Sequence, residues 1–142
     1  MPELDKDPLG LLGFGVFIVT VSLIIMNFPN SFSELFSWLR RLEFGKVVII
    51  PNSLLWPLIW MLIGGGLWNL VSCGIRLLVN INRRKSISDG FRGLFLITAS
   101  FFFREYSYSL ISFTTLVSSL LISLGTLIVL ASLVSYKYLK AK

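Results

Sequence analysis

The sequence predicts an all-α integral membrane protein: four transmembrane helices arranged as two tandem hairpins, with one interfacial amphipathic helix between spans one and two. Three observations predict it. Of 142 residues, 55% are hydrophobic and only 14% are charged, whereas soluble domains run near 45–50% and about 25%. The mean hydropathy is +0.82. Uncharged runs of about twenty residues recur, the length that crosses a hydrocarbon core about 30 Å thick. A soluble core of this size cannot hide so much apolar surface. A soluble enzyme, a disordered tail and a disulfide mini-protein are thereby excluded.

The first span is expected over residues 8–28. Asp7 is a good N-cap, Pro8 suits the first helical position, and Pro29 ends the run. The preceding segment is acidic, with Glu3, Asp5 and Asp7, and no small-residue cleavage site follows. It is therefore not read as a signal peptide. Gly13 and Gly15 lie within the run and read as helix-packing positions.

Residues 31–45 follow. Phe32, Leu35, Phe36, Leu39 and Leu42 recur at helical spacing, with Ser33, Glu34, Ser37, Arg40, Arg41 and Glu43 facing away. Ser31 and Glu34 form a capping-box pattern, and Gly45 is a natural stop. The segment is too short and too charged to span. Its apolar face lies either on the bilayer surface or on the protein's own helices. Residues 47–50 read as an extended lead-in.

The second span is expected over 52–80, with Trp56 and Trp60 at the headgroup level and Arg76 snorkelling from the far end. Gly65, Asn69, Cys73 and Arg76 share one face, and the first three read as packing positions. The Asn69 amide is expected to find an interhelical partner. Residues 82–90 read as a polar turn bearing Arg83, Arg84 and Lys85. The third span is expected over 88–105, with Arg92 and Arg104 snorkelling. Its uncharged stretch between those arginines is short, so a re-entrant half-span is the alternative.

The fourth span is expected over 107–136. It carries two stripes of small residues: Ser112, Thr115, Ser119, Ser123 and Thr126 on one side, and Thr114, Ser118, Gly125 and Ser132 on another. In lipid, small residues let helices approach closely. One stripe can pack within the chain, and the other against a partner subunit or a second copy. The alternative is that the hydroxyls bond to their own helix carbonyls.

The chain also suggests an internal repeat, 8–80 against 88–136. Residues 15–22 align with 93–100, and 62–72 with 122–132, without gaps. The Gly13–Val19 stretch and the Trp56-Pro57 opening of the second span resemble the LiaF/LiaI-type transmembrane repeats of membrane-stress proteins. That resemblance implies envelope-stress sensing as one functional reading.

Chemistry is scarce. With no histidine and one cysteine, imidazole catalysis, disulfides and thiolate metal clusters cannot be built. No carboxylate lies in the middle of an apolar run, which counts against ion-coupled transport. No cofactor, metal or nucleic acid is expected. Arg76, Arg83, Arg84, Lys85 and Arg92 read as topology determinants or anionic-lipid contacts, on the side that carries both termini. That side holds more Lys and Arg, so both termini are expected in the cytoplasm of a multi-pass cell-membrane protein. The leading functional expectation is a non-enzymatic accessory or scaffolding subunit of a membrane complex, whose partners are other subunits or further copies. A small homo-oligomeric channel is the alternative.

Overall fold

The structure, a computed structural model, describes residues 8–43, 46, 49–80 and 82–140. Five helices make up the fold: α1 (Pro8–Asn27), α2 (Ser31–Arg40), α3 (Asn52–Leu78), α4 (Arg83–Ser107) and α5 (Phe113–Lys140). No strand occurs among the described residues. The Asp7 cap, the Gly45 stop and residues 47 and 48 of the lead-in lie outside those residues.

Three helices, not four, are long and apolar enough to cross a membrane: α1, α3 and α5 over Phe113–Tyr138. The expected third span falls short on composition. Its helix starts at Arg83, within the segment read as a turn, and so takes in Arg83, Arg84, Lys85, Asp89 and Arg92. The physical reason lies in the turn before it. Asn80 and Asn82 both adopt positive φ, 56° and 44°, a region asparagine tolerates better than most residues. Asn82 Oδ1 then accepts from the Lys85 N–H at 3.3 Å. Two asparagines thus reverse the chain in a few residues, and the three cations become the first helical turn.

At the other end α4 stops at Ser107. Ser109 takes a left-handed φ of 58°, and the Leu110 N–H bonds to the Glu105 carbonyl at 3.0 Å. This is the helix-ending geometry that glycine usually supplies. Ser112 then caps α5: its Oγ accepts from the Thr115 N–H at 3.2 Å. The helix of the expected fourth span therefore begins at Phe113 rather than at residue 107.

Both expected hairpin pairs pack, α1 with α3 and α4 with α5, and α3 also packs on α4 between them. The most extensive contact joins α3 to α4; α4 with α5 and α1 with α3 are lesser ones. No packed interface joins α1 to α5, or α3 to α5, among the described residues. The helices form a row in the order α1, α3, α4, α5. Neighbours run antiparallel. Thr20 faces Gly64 while Gly13 faces Trp68, Trp56 meets Tyr108 while Cys73 meets Ser86, and Tyr106 meets Phe113 across the last turn.

The core is correspondingly small. Its buried hydrophobic residues are Leu55, Ile59, Ala99 and Leu116. Helix α1 has no buried residue. The apolar surface that water would reject is left facing outward, as suits a protein surrounded by lipid.

Helix α2 is shorter than expected, and the capping box does not form. Asn30 is the cap residue, and it makes no side-chain capping bond. The apolar face of α2 is divided. Phe32, Leu35 and Trp38 line a groove with α1 and α3, and the Trp38 indole donates to the Ile49 carbonyl at 2.9 Å. Phe36 and Leu39 point away and are exposed.

Candidate functional site

Two polar features stand out in this apolar row, and both belong to α4. One faces α3, the other faces α5.

The α3–α4 contact is built on small residues. A Cβ on Gly93 would lie 2.8 Å from the Gly66 carbonyl, and one on Gly66 would lie 3.1 Å from the Gly93 carbonyl. The two backbones touch there, so side chains are excluded. Toward the tight turn, Cys73 fills the space that Gly90 leaves, its Sγ 3.0 Å from where a Cβ would stand. Ser86 is fully buried, and its hydroxyl donates to the Cys73 carbonyl at 2.9 Å. Close approach continues to an ion pair. Arg76 Nε lies 3.1 Å from Asp89 Oδ2, with side chains only 5% and 11% exposed.

That pair corrects two expectations. Arg76 does not snorkel outward; it is buried against α4. Asp89 does not belong to a solvated turn; it is buried about six residues from the middle of α4. A buried charge persists only where a partner neutralises it. Nearby, Asn69 departs from expectation as well. Its Nδ2 donates to the Gly65 carbonyl of its own helix at 2.9 Å, rather than across to another helix. Gly65 is half-buried beside Leu96.

The second feature is a cleft between α4 and α5 of about 630 Å³. Arg84, Arg92 and Asn69 line it together with aromatic and aliphatic side chains. Arg92 was expected at a span end. Fourteen residues separate it from Tyr106, and the same step from Phe113 along α5 reaches Leu127, about 21 Å along each axis. Arg92 therefore lies near the middle of both helices. Arg83 instead donates to Asn80 Oδ1 at 2.9 Å and Lys85 is exposed; both stay at the turn.

On α5 the two stripes separate. Ser119 and Ser123 are half-buried and follow Leu116 on the side that packs on α4. Ser123 donates to the Ser119 carbonyl at 2.7 Å, and Thr126 to the Ile122 carbonyl at 2.8 Å. Ser112 and Thr115 are spent on the cap. The hydroxyl bonds of this stripe are local, as the alternative reading has it. Thr114, Ser118, Gly125 and Ser132 are exposed, and nothing lies within 4 Å of a Cβ placed on Gly125.

Residues aligned in the suggested repeat occupy unlike places. Gly93 is at the backbone crossing, while a Cβ on its counterpart Gly15 would meet nothing within 4 Å. The small residues at 86, 90 and 93 were a readable signal for the α3–α4 contact, hidden by their place in a polar segment. Among the described residues no cluster of three His, Cys, Asp or Glu side chains could hold a metal. No family model, no curated protein and no solved structure matches the chain.

Proposed function

We propose that this chain is a non-enzymatic integral membrane protein that acts by lateral association, as an accessory or scaffolding subunit of a larger membrane assembly. The observation that carries this reading is the open row. The terminal helices α1 and α5 each contact one main neighbour, and their outer faces meet nothing among the described residues. A closed bundle would use those faces internally. Here they stay available, and the α5 face bears the small residues Ser118 and Gly125, which permit close helix approach.

The same reading takes α4 across the bilayer with its neighbours. Helices α3 and α5 each run antiparallel to α4, so they run parallel to each other. A chain that crosses twice in one direction has to return between the crossings, and α4 is the segment that joins them. Its 25 residues extend about 37 Å, enough to cross. Its one buried charge, Asp89, is covered and neutralised by Arg76 of α3, and Arg83, Arg84 and Lys85 lie in its first turn, at the end of the crossing.

The mass of the particle released from native membranes by a mild detergent tests the association. A particle larger than the 16.0 kDa protomer is expected, reduced to that protomer by Ser118→Leu with Gly125→Leu. A strictly monomeric wild-type particle without partners overturns it.

A further inference from the structure

The α4–α5 cleft has two chemical halves. Its walls include Phe91, Phe95, Leu124 and Leu127, while Arg84 and Arg92 line it from one helix. The two arginines are eight residues apart, about 12 Å along the axis. Neither makes an ion pair or side-chain hydrogen bond among the described residues. A guanidinium at the depth of Arg92 is costly unless an anion or water meets it. One turn earlier, on the α3 side of α4, the same problem is solved by pairing Arg76 with Asp89. No carboxylate lines the cleft. Helical side chains lean toward the N-terminus, which turns Arg92 back toward Arg84 and the nearer membrane surface.

We propose that this cleft binds an anionic phospholipid, its chain lying along the aromatic wall and its phosphate held between Arg84 and Arg92. Guanidinium forks match phosphate oxygens and can bond them bidentately. The volume of about 630 Å³ takes one acyl chain with the phosphate, and the second chain stays in the surrounding lipid. A neutral lipid satisfies only the apolar half, and a soluble phosphate satisfies only the cationic half. The inference rests on the reading that α4 crosses the bilayer.

Native mass spectrometry of the full chain, offered phosphatidylglycerol and phosphatidylcholine in equal amounts, tests it. Each arginine is expected to contribute about fivefold to the preference for the anionic lipid, so about twenty-five-fold for the pair. Arg92→Gln lowers the preference about fivefold, Arg92→Lys keeps most of it, and Arg40→Gln, at the other end of the molecule, leaves it unchanged. Ala131→Trp fills the cleft and displaces the lipid although both arginines remain; it decides the matter alone if Arg92→Gln fails to fold. Equal retention of the two lipids by the wild type overturns the proposal. So does retention that survives Ala131→Trp, and so does stabilisation of lipid-free protein by millimolar inorganic phosphate equal to that by phosphatidylglycerol. The same spectra count protomers. Lipid lost at constant assembly mass supports the cleft, whereas protomers dissociating with lipid still bound overturn only the association.

Discussion

Arg76 and Asp89 show how a single contact can reassign two residues. In the sequence each sits at the edge of a polar stretch, where solvation is the ordinary expectation. Their burial follows from neighbours that have no charge at all: Ser86 and Gly90 are small enough to draw α4 against α3 just there. Two charges so enclosed stabilise each other chiefly by avoiding a worse state. Removing one partner leaves the other buried without compensation, a loss of about 3–5 kcal/mol. Arg76→Gln and Asp89→Asn are each expected to lower the thermal midpoint sharply in detergent. The double variant Arg76→Met with Asp89→Leu is expected to recover most of the loss. A double variant no better than the sum of the singles would mean that the pair has no mutual stabilisation.

At the scale of elements, the glycine at 93 decides how closely α3 and α4 pack. A methyl group there meets the Gly66 carbonyl at 2.8 Å and Leu70 at 2.9 Å, and the backbone oxygen cannot swing aside. Gly93→Ala is expected to cost about 1–3 kcal/mol through overpacking. Gly15→Ala meets nothing within 4 Å and is expected to be neutral or to gain about 0.5–1 kcal/mol from helix propensity. Chemical denaturation in micelles separates the two; equal losses would place the helix crossing elsewhere. These elements were unevenly legible beforehand. The long uncharged runs behind α1, α3 and α5 identify themselves, because hydropathy alone requires no knowledge of neighbours. Helix α4 does not. Its first turn is cationic, its middle is mixed, and it is helical because Asn80 and Asn82 turn the chain and α3 covers its small face. The candidate site was hidden for the same reason. Arg84 and Arg92 were visible as cations, but their shared cleft depends on where α5 begins, which Ser112 sets by capping.

For the whole molecule, the antiparallel row assigns every Lys and Arg but the mid-helix Arg92 to an end. Arg76, Arg83, Arg84, Lys85, Lys137 and Lys140 lie toward the end where α1 begins and α5 finishes. Arg40, Arg41, Lys46 and Arg104 belong to the other, together with α2. Lys6 and Lys142 add to the first end in sequence. Cytoplasmic loops carry the excess of Lys and Arg, so both termini are expected in the cytoplasm and α2 on the outer face. Reporter tags at the two ends of the chain should respond alike, and a cysteine introduced at Ser37 should react with an impermeant maleimide from outside. Tags on opposite sides would mean that α4 does not cross. The bias is concentrated in one turn: replacing Arg83, Arg84 and Lys85 by glutamine leaves the two ends nearly balanced. That triple variant is expected to insert in mixed orientations, with Ser37→Cys labelled on only a fraction of molecules. The single variant Arg40→Gln, which increases the existing asymmetry, should label as fully as the parent.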